Sequence, residues 1–218
     1  MTVSELMVLL EAKSNVKMRE IYVKHGGGGN HFGVVLSDLR DLAKQIKTNH
    51  ELGMELWATG NQDARLLGSL IMKPKALSLD DLRRMMAETD FTKLADWFGK
   101  NVVLKTAHAD TLRDEWRDSE HKCSARLGWW LCSRSIEGGK LDHDELLALI
   151  EAQMAEAPTA KQEAMNWCLV EIGVKDESRR TRALEIGERL GVYRDYPVAK
   201  GCISPFAPTW INWALTQP

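Results

Sequence analysis

The stretch ELWATGNQDARLLGSLI, residues 55–71, decides the fold. An acid–x–Trp ending (Glu55, Trp57), a short polar turn and then Ala-Arg-Leu opening a second apolar period predict two tightly joined helices. DEWRDSEHKCSARLGWWL, residues 114–131, repeats that order, with Trp116 before the turn and Arg126 after it. A looser copy, EAPTAKQEAMNWCLVEIG at 156–173, carries Trp167 on its second helix. The step from Arg65 to Arg126 leaves room for one intervening helix pair if a unit is about 30–40 residues. Repeated pairs of this kind predict an all-α solenoid, in which each pair buries its apolar face against its neighbours.

Working outward, the helical period predicts helices near 3–13, 15–24, 37–46, 51–59, 61–73, 79–88, 91–99, 101–116, 119–136, 142–156, 160–173 and 177–190. Ser37, Asn61 and Ser78 stand at N-cap positions, and Gly60, Gly138-Gly139 and Gly191 just past ends. The run His25-Gly-Gly-Gly-Gly-Asn30 interrupts regular structure, because glycine loses the most backbone entropy on ordering. It matches neither GxGxxG nor GxxxxGK, so no nucleotide-phosphate loop is expected. Residues 1–218 read as one domain, with 191–218 an extended tail on the last helices, since YRDYPVAKGCISPFAP holds three prolines and no period.

Composition narrows the classes. The chain has 218 residues, 44% hydrophobic and 28% charged, with a net charge of −2, which excludes a disordered polyelectrolyte. No apolar run is long enough to span a membrane, and MTVSELMVLLEAKSN lacks the pattern of a secretory signal. The four cysteines (Cys123, Cys132, Cys168, Cys202) show no CxxC spacing and read as reduced thiols, so a cytoplasmic location is expected. The six histidines show no ligand spacing, so no metal is expected. Eight Trp against three Tyr and four Phe is an inverted aromatic ratio. With charge near neutral, any nucleic-acid binding must come from cations gathered on one face. Lys44, Lys47, Arg65, Arg126 and Arg179, near helix ends, are the candidates, with Arg180 and Arg182 extending a short basic run.

Each candidate has a plainer reading beside the functional one. Arg126 opens an apolar helix, where arginine pairs with a carboxylate or faces a concave surface. Asp96 sits near the negative end of its helix, beside Trp97, and needs a partner or a purpose unless it is a solvated surface carboxylate. Trp167 is core by default. The basic run 179–182 is either a solvated helix face or a phosphate patch.

Five stretches, HFGVVLSDLRDLAKQI (31–46), ELWATGNQDARLLGSLI (55–71), DFTKLADWF (90–98), SARLGWWL (124–131) and EAMNWCLVEIG (163–173), together resemble the bacterial DNA alkylation repair family of HEAT-like-repeat DNA glycosylases. The resemblance implies a right-handed α-solenoid whose concave face holds double-stranded DNA and which hydrolyses the N-glycosidic bond of N3- or N7-alkylated purines without a metal or organic cofactor; a monomer is expected. It places the catalytic aspartate on Asp96, the arginine on Arg126 and one tryptophan on Trp167. Alkylation makes the purine a cationic leaving group, and a fixed carboxylate stabilises the sugar cation left behind. Aromatic faces favour the same cation, and arginine grips neighbouring phosphates. The family tryptophan one turn before the aspartate falls here on Thr92, and Trp97, adjacent to Asp96, points elsewhere on the helix. The other readings are a non-catalytic relative that recognises damaged or branched DNA by shape, and an α-solenoid scaffold for other proteins.

Overall fold

The computed structural model describes residues 1–217, which form two compact units, Met1–Leu112 and the remainder from Arg113 onward. Among the described residues the secondary structure is entirely helical, with thirteen α-helices and four short 3₁₀ turns, and no helix is long and apolar enough to cross a membrane.

The first unit holds α1 (Val3–Ala12), α2 (Val16–Lys24), α3 (Leu36–Ile46), α4 (His50–Ala58), α5 (Gln62–Ile71), α6 (Leu79–Ala87) and α7 (Thr92–Asn101). Helix α5 is its centre, packed against α3, α4 and α7, and Leu66, Leu67 and Ile71 fill the core. Asn61 caps α5, its side-chain oxygen accepting from the backbone of Asp63 and Ala64, and Ser78 forms a capping box with Asp81 at the start of α6. Ser37 is not a cap. Helix α3 begins one residue earlier, after Val35, without a side-chain cap bond.

Asp63 does more than occupy the first turn of α5. Fully buried, it accepts from the backbone N–H groups of Phe32 (2.6 Å), Gly33 (3.1 Å) and Val34 (2.8 Å). One carboxylate thereby satisfies the buried donors of the segment that follows the glycine run. Tyr22 donates its hydroxyl to the Val34 carbonyl at 3.0 Å and packs on Phe91 at 4.8 Å.

The helix expected over 101–116 is divided. A 3₁₀ turn covers Val103–Lys105, the Thr106 hydroxyl donates to the Val103 carbonyl and accepts from the His108 N–H, and α8 (Ala109–Arg117) begins beyond it. The threonine offers the backbone an alternative to helix continuation.

The second unit contains α9 (Lys122–Arg134), α10 (His143–Gln153), α11 (Thr159–Lys175), α12 (Arg180–Leu190) and α13 (Ala207–Ala214). Helix α11 is the hub and touches the other four; Trp129, Leu147, Ile150, Leu169 and Ile186 belong to its core. Gly128 lets α9 meet the chain at Trp116 and Arg117, where an added Cβ would stand 2.2 Å from the Arg117 nitrogen. The expected extended tail is only partly extended, because residues 207–214 form α13. Asn166 donates to the Pro205 carbonyl at 2.9 Å, fastening the approach to that helix. Cys123, Cys132 and Cys168 are buried thiols outside any disulfide, and burial pushes Cys132 up to about 12.

Candidate nucleic-acid interface

In the first unit, α7 presents Thr92 and Asp96 one turn apart, hence on the same side of the helix. Asp96 is half-buried. Thr92 is tied to the end of α2, its N–H and its hydroxyl both directed at the His25 carbonyl, at 3.2 and 3.3 Å. Trp97 turns inward, donates to the Leu66 carbonyl at 3.1 Å, and carries the guanidinium of Arg40 5.0 Å from its ring centroid. The aromatic wall that the resemblance places beside the aspartate is therefore a small hydroxylated residue here, and the nearby tryptophan is engaged in the core.

Arg40 and Lys44 are exposed on α3 four residues apart and so share one face, and Lys47, also exposed, caps the end of the helix. With Ala43, Thr48 and Leu70 they border a shallow groove of about 390 Å³. Lys44 also reaches Asp41 at 2.8 Å, a contact in open solvent that is worth little. Lys44 and Lys47 were expected on sequence. Arg40 was not, although the spacing Arg-x₃-Lys-x₂-Lys carries the signal.

Arg65 is turned inward. Its Nε donates to the Trp57 carbonyl (3.1 Å), one Nη to the Glu88 carbonyl (3.0 Å) and the other to the Glu88 carboxylate (3.2 Å), while its guanidinium stacks 5.2 Å from the Trp57 ring. Its side chain is 11% exposed, so this arginine joins α4, α5 and the end of α6.

In the second unit the structure brings Arg126 and Trp167 together. The guanidinium lies 5.5 Å from the Trp167 ring centroid, and Nη1 donates to the Glu163 carboxylate at 2.5 Å and to the Ala160 carbonyl at 3.4 Å. Glu163, on the same helix as Trp167 and one turn before it, was not singled out on sequence, where nothing distinguishes it from a solvated acid.

The basic run is largely neutralised by its surroundings. Arg179 and Arg182 share Asp144, at 2.8 and 2.9 Å. Hydrogen bonds from Arg179 foremost lower the Asp144 carboxyl from its ordinary value. Arg180 donates to the carbonyls of Gly173 (2.8 Å) and Val174 (3.1 Å), capping the negative end of α11. Asp176 is held down to about 2 by the Ser178 hydroxyl first and His143 second, with Arg179 adding to the effect.

Comparison with known proteins agrees with this architecture. The family model described as DNA alkylation repair enzyme matches residues 6–210. An uncharacterized protein of Listeria innocua is 23% identical over 221 residues, covering 99% of this chain and 98% of its own. One from Listeria monocytogenes is 22% identical with the same coverage. A solved structure from a family related to the HEAT-like repeat DNA glycosylases, described as having affinity for branched DNA structures, aligns with a TM-score of 0.81 and 27% identity over 99% of this chain and 94% of its own.

Proposed function

Because the chain belongs to the DNA alkylation repair enzyme family, we propose that it binds DNA through its phosphates and recognises distorted or branched forms, with base excision absent or weak. The observation that carries this reading is Thr92. One turn before Asp96, where the family places an aromatic wall for the sugar cation, the chain holds a hydroxyl bonded to the His25 carbonyl. A threonine offers no quadrupole to a developing cation. Arg126 adds support, since it meets Glu163 and Trp167 and brings less free charge to a lesion phosphate. The branched-DNA affinity described for the structural relative is consistent with such a role. Exposed cations on α3 and Arg134 at the end of α9 would supply the backbone contacts.

Excision of N3- or N7-alkylated purines is the second reading, and the half-buried carboxylate of Asp96 favours it. Binding of a four-way junction and of a matched duplex, titrated with salt, tests the first. The junction should bind more tightly, with a log–log slope of about −3 to −4 if four cations each meet a phosphate. Absence of DNA binding at low salt would remove both readings and leave the protein-scaffold alternative. An excision assay on DNA carrying N7-methylguanine and N3-methyladenine tests the second. Asp96→Asn should slow any excision by roughly a hundredfold, the loss of about 3 kcal/mol from the transition state, with affinity retained.

A further inference from the structure

The second unit gathers tryptophan on an open surface. Trp130 of α9, Trp167 of α11 and Trp210 of α13, each only half-buried, line a cleft of about 340 Å³ with Arg134 and Lys175 at its edge. Trp167 also borders a smaller cleft with Tyr193 and Tyr196, whose rings meet edge to face at 5.7 Å. The core does not require this exposure, because the neighbouring Trp129 is completely buried in it.

The cleft is rigidly built. Gly173 of α11 meets Ile211 of α13 so closely that an added Cβ would stand 2.4 Å from the isoleucine Cδ1. Trp210, one residue earlier, is therefore set against α11 by direct helix contact. Lys175 is held by Glu171 (2.9 Å) and Glu137 (3.2 Å), whereas Arg134 is exposed and has no ion-pair partner among the described residues.

Flat aromatic walls with an available cation at the rim match an occupant that has a π face and an adjacent negative charge, which describes a nucleotide. In a continuous duplex both faces of each base are covered by neighbours, so stacking on protein first requires unstacking. An unpaired base at a branch point does not carry that penalty. Building on the branched-DNA reading above, we propose that the Trp130–Trp167–Trp210 cleft is a stacking platform for one unpaired nucleobase, with Arg134 meeting its phosphate.

The test uses the whole protein and three fluorescent probes: a duplex, a fully paired three-way junction, and the same junction with unpaired thymidines at the branch. Trp130→Leu and Trp210→Leu keep apolar bulk and remove the large ring, while Trp130→Phe and Trp210→Phe keep an aromatic face. The platform predicts tightest binding of the thymidine-bearing junction, an about tenfold loss for that probe in the Leu variants, little change for the other two, and recovery in the Phe variants. Leu variants that melt like the parent yet bind the thymidine-bearing junction equally well would overturn the platform and leave junction binding intact. A parent protein that binds none of the probes would overturn the DNA-binding reading itself. Should a Leu variant fail to fold, tryptophan emission of the parent decides, since saturating oligothymidylate must quench it if a base stacks there. A concentration-dependent dimer abolished by Trp210→Leu would mean that a second copy of the chain covers the cleft, and would also overturn the platform.

Discussion

Arg65 and Arg126 occupy the same place in the two matching Ala-Arg-Leu segments, and the structure treats them alike. Each side chain is about a tenth exposed or less, stacks on a tryptophan (Trp57 at 5.2 Å, Trp167 at 5.5 Å) and meets a glutamate (Glu88 at 3.2 Å, Glu163 at 2.5 Å). The partners come from different sequence distances, so the equivalence lies in packing and not in a copied motif. An arginine buried this way satisfies its fork of donors and its flat face together.

On the proposed DNA-binding reading, the Arg126–Glu163 pair limits the charge that Arg126 would offer to a phosphate. Glu163→Gln keeps a hydrogen-bond acceptor and removes the countercharge. DNA affinity should rise and the salt slope steepen by about one phosphate contact, with stability lowered by roughly 1–2 kcal/mol. Anisotropy titrations at several salt concentrations and a thermal melt measure the two effects. Unchanged slope would place Arg126 away from the DNA.

The cations that border the groove beside α3 make a parallel prediction. Arg40→Ala and Lys47→Ala should each reduce the salt slope by about one unit while leaving the preference for branched over linear DNA intact, because phosphate contacts position the duplex without reading its form. Arg65→Ala should instead lower the melting temperature, since it removes three hydrogen bonds joining helices.

Asp63→Asn tests the clamp on residues 32–34. The amide has one accepting oxygen, and its NH₂ would face backbone donors now bonded to the carboxylate at 2.6–3.1 Å. A loss of about 3 kcal/mol is expected, or roughly 6–12 °C in melting temperature for a chain of this size. Hydrogen exchange should rise first at Phe32, Gly33 and Val34.

Two glycines should behave oppositely. Gly128→Ala drives a methyl group against backbone atoms of Trp116 and Arg117 at 2.2–2.7 Å that cannot move without displacing the end of α8, so a cost of about 3 kcal/mol or more is expected. Gly138→Ala meets nothing within 4 Å, and its stability should stay within about 0.5 kcal/mol of the parent. Urea unfolding of the two variants side by side makes the comparison.

Asp176 gives a pH signature. Its carboxyl is held from an ordinary 3.8 to about 2, so the ionised form stabilises the fold. That contribution is complete above about pH 4 and is lost as pH falls from there through about 2. Asp176→Asn should lower the urea midpoint at pH 6, and the gap to the parent should close between pH 4 and 2. A gap that persists unchanged at pH 2 would mean the aspartate acts through shape alone.

The sequence by itself determined the helical class, most helix starts and the matching arginines, because these depend on interactions within a few residues. Apolar positions recur every three to four residues wherever a helix has one buried side, and Asn61 and Ser78 bond to backbone within three residues of themselves. Helix α13 escaped the reading because a proline-rich run gave it no period of its own, and its form rests on packing against Gly173 and Gly187. Only the tertiary structure decided which charges remain available. Arg65, Arg126 and Arg180 look alike in sequence to Arg40 and Arg134, yet the first three are directed at Glu88, Glu163 and the carbonyls ending α11. Whether an arginine faces a phosphate or a glutamate depends on what another segment brings within hydrogen-bonding distance of it, and no local periodicity encodes that distance.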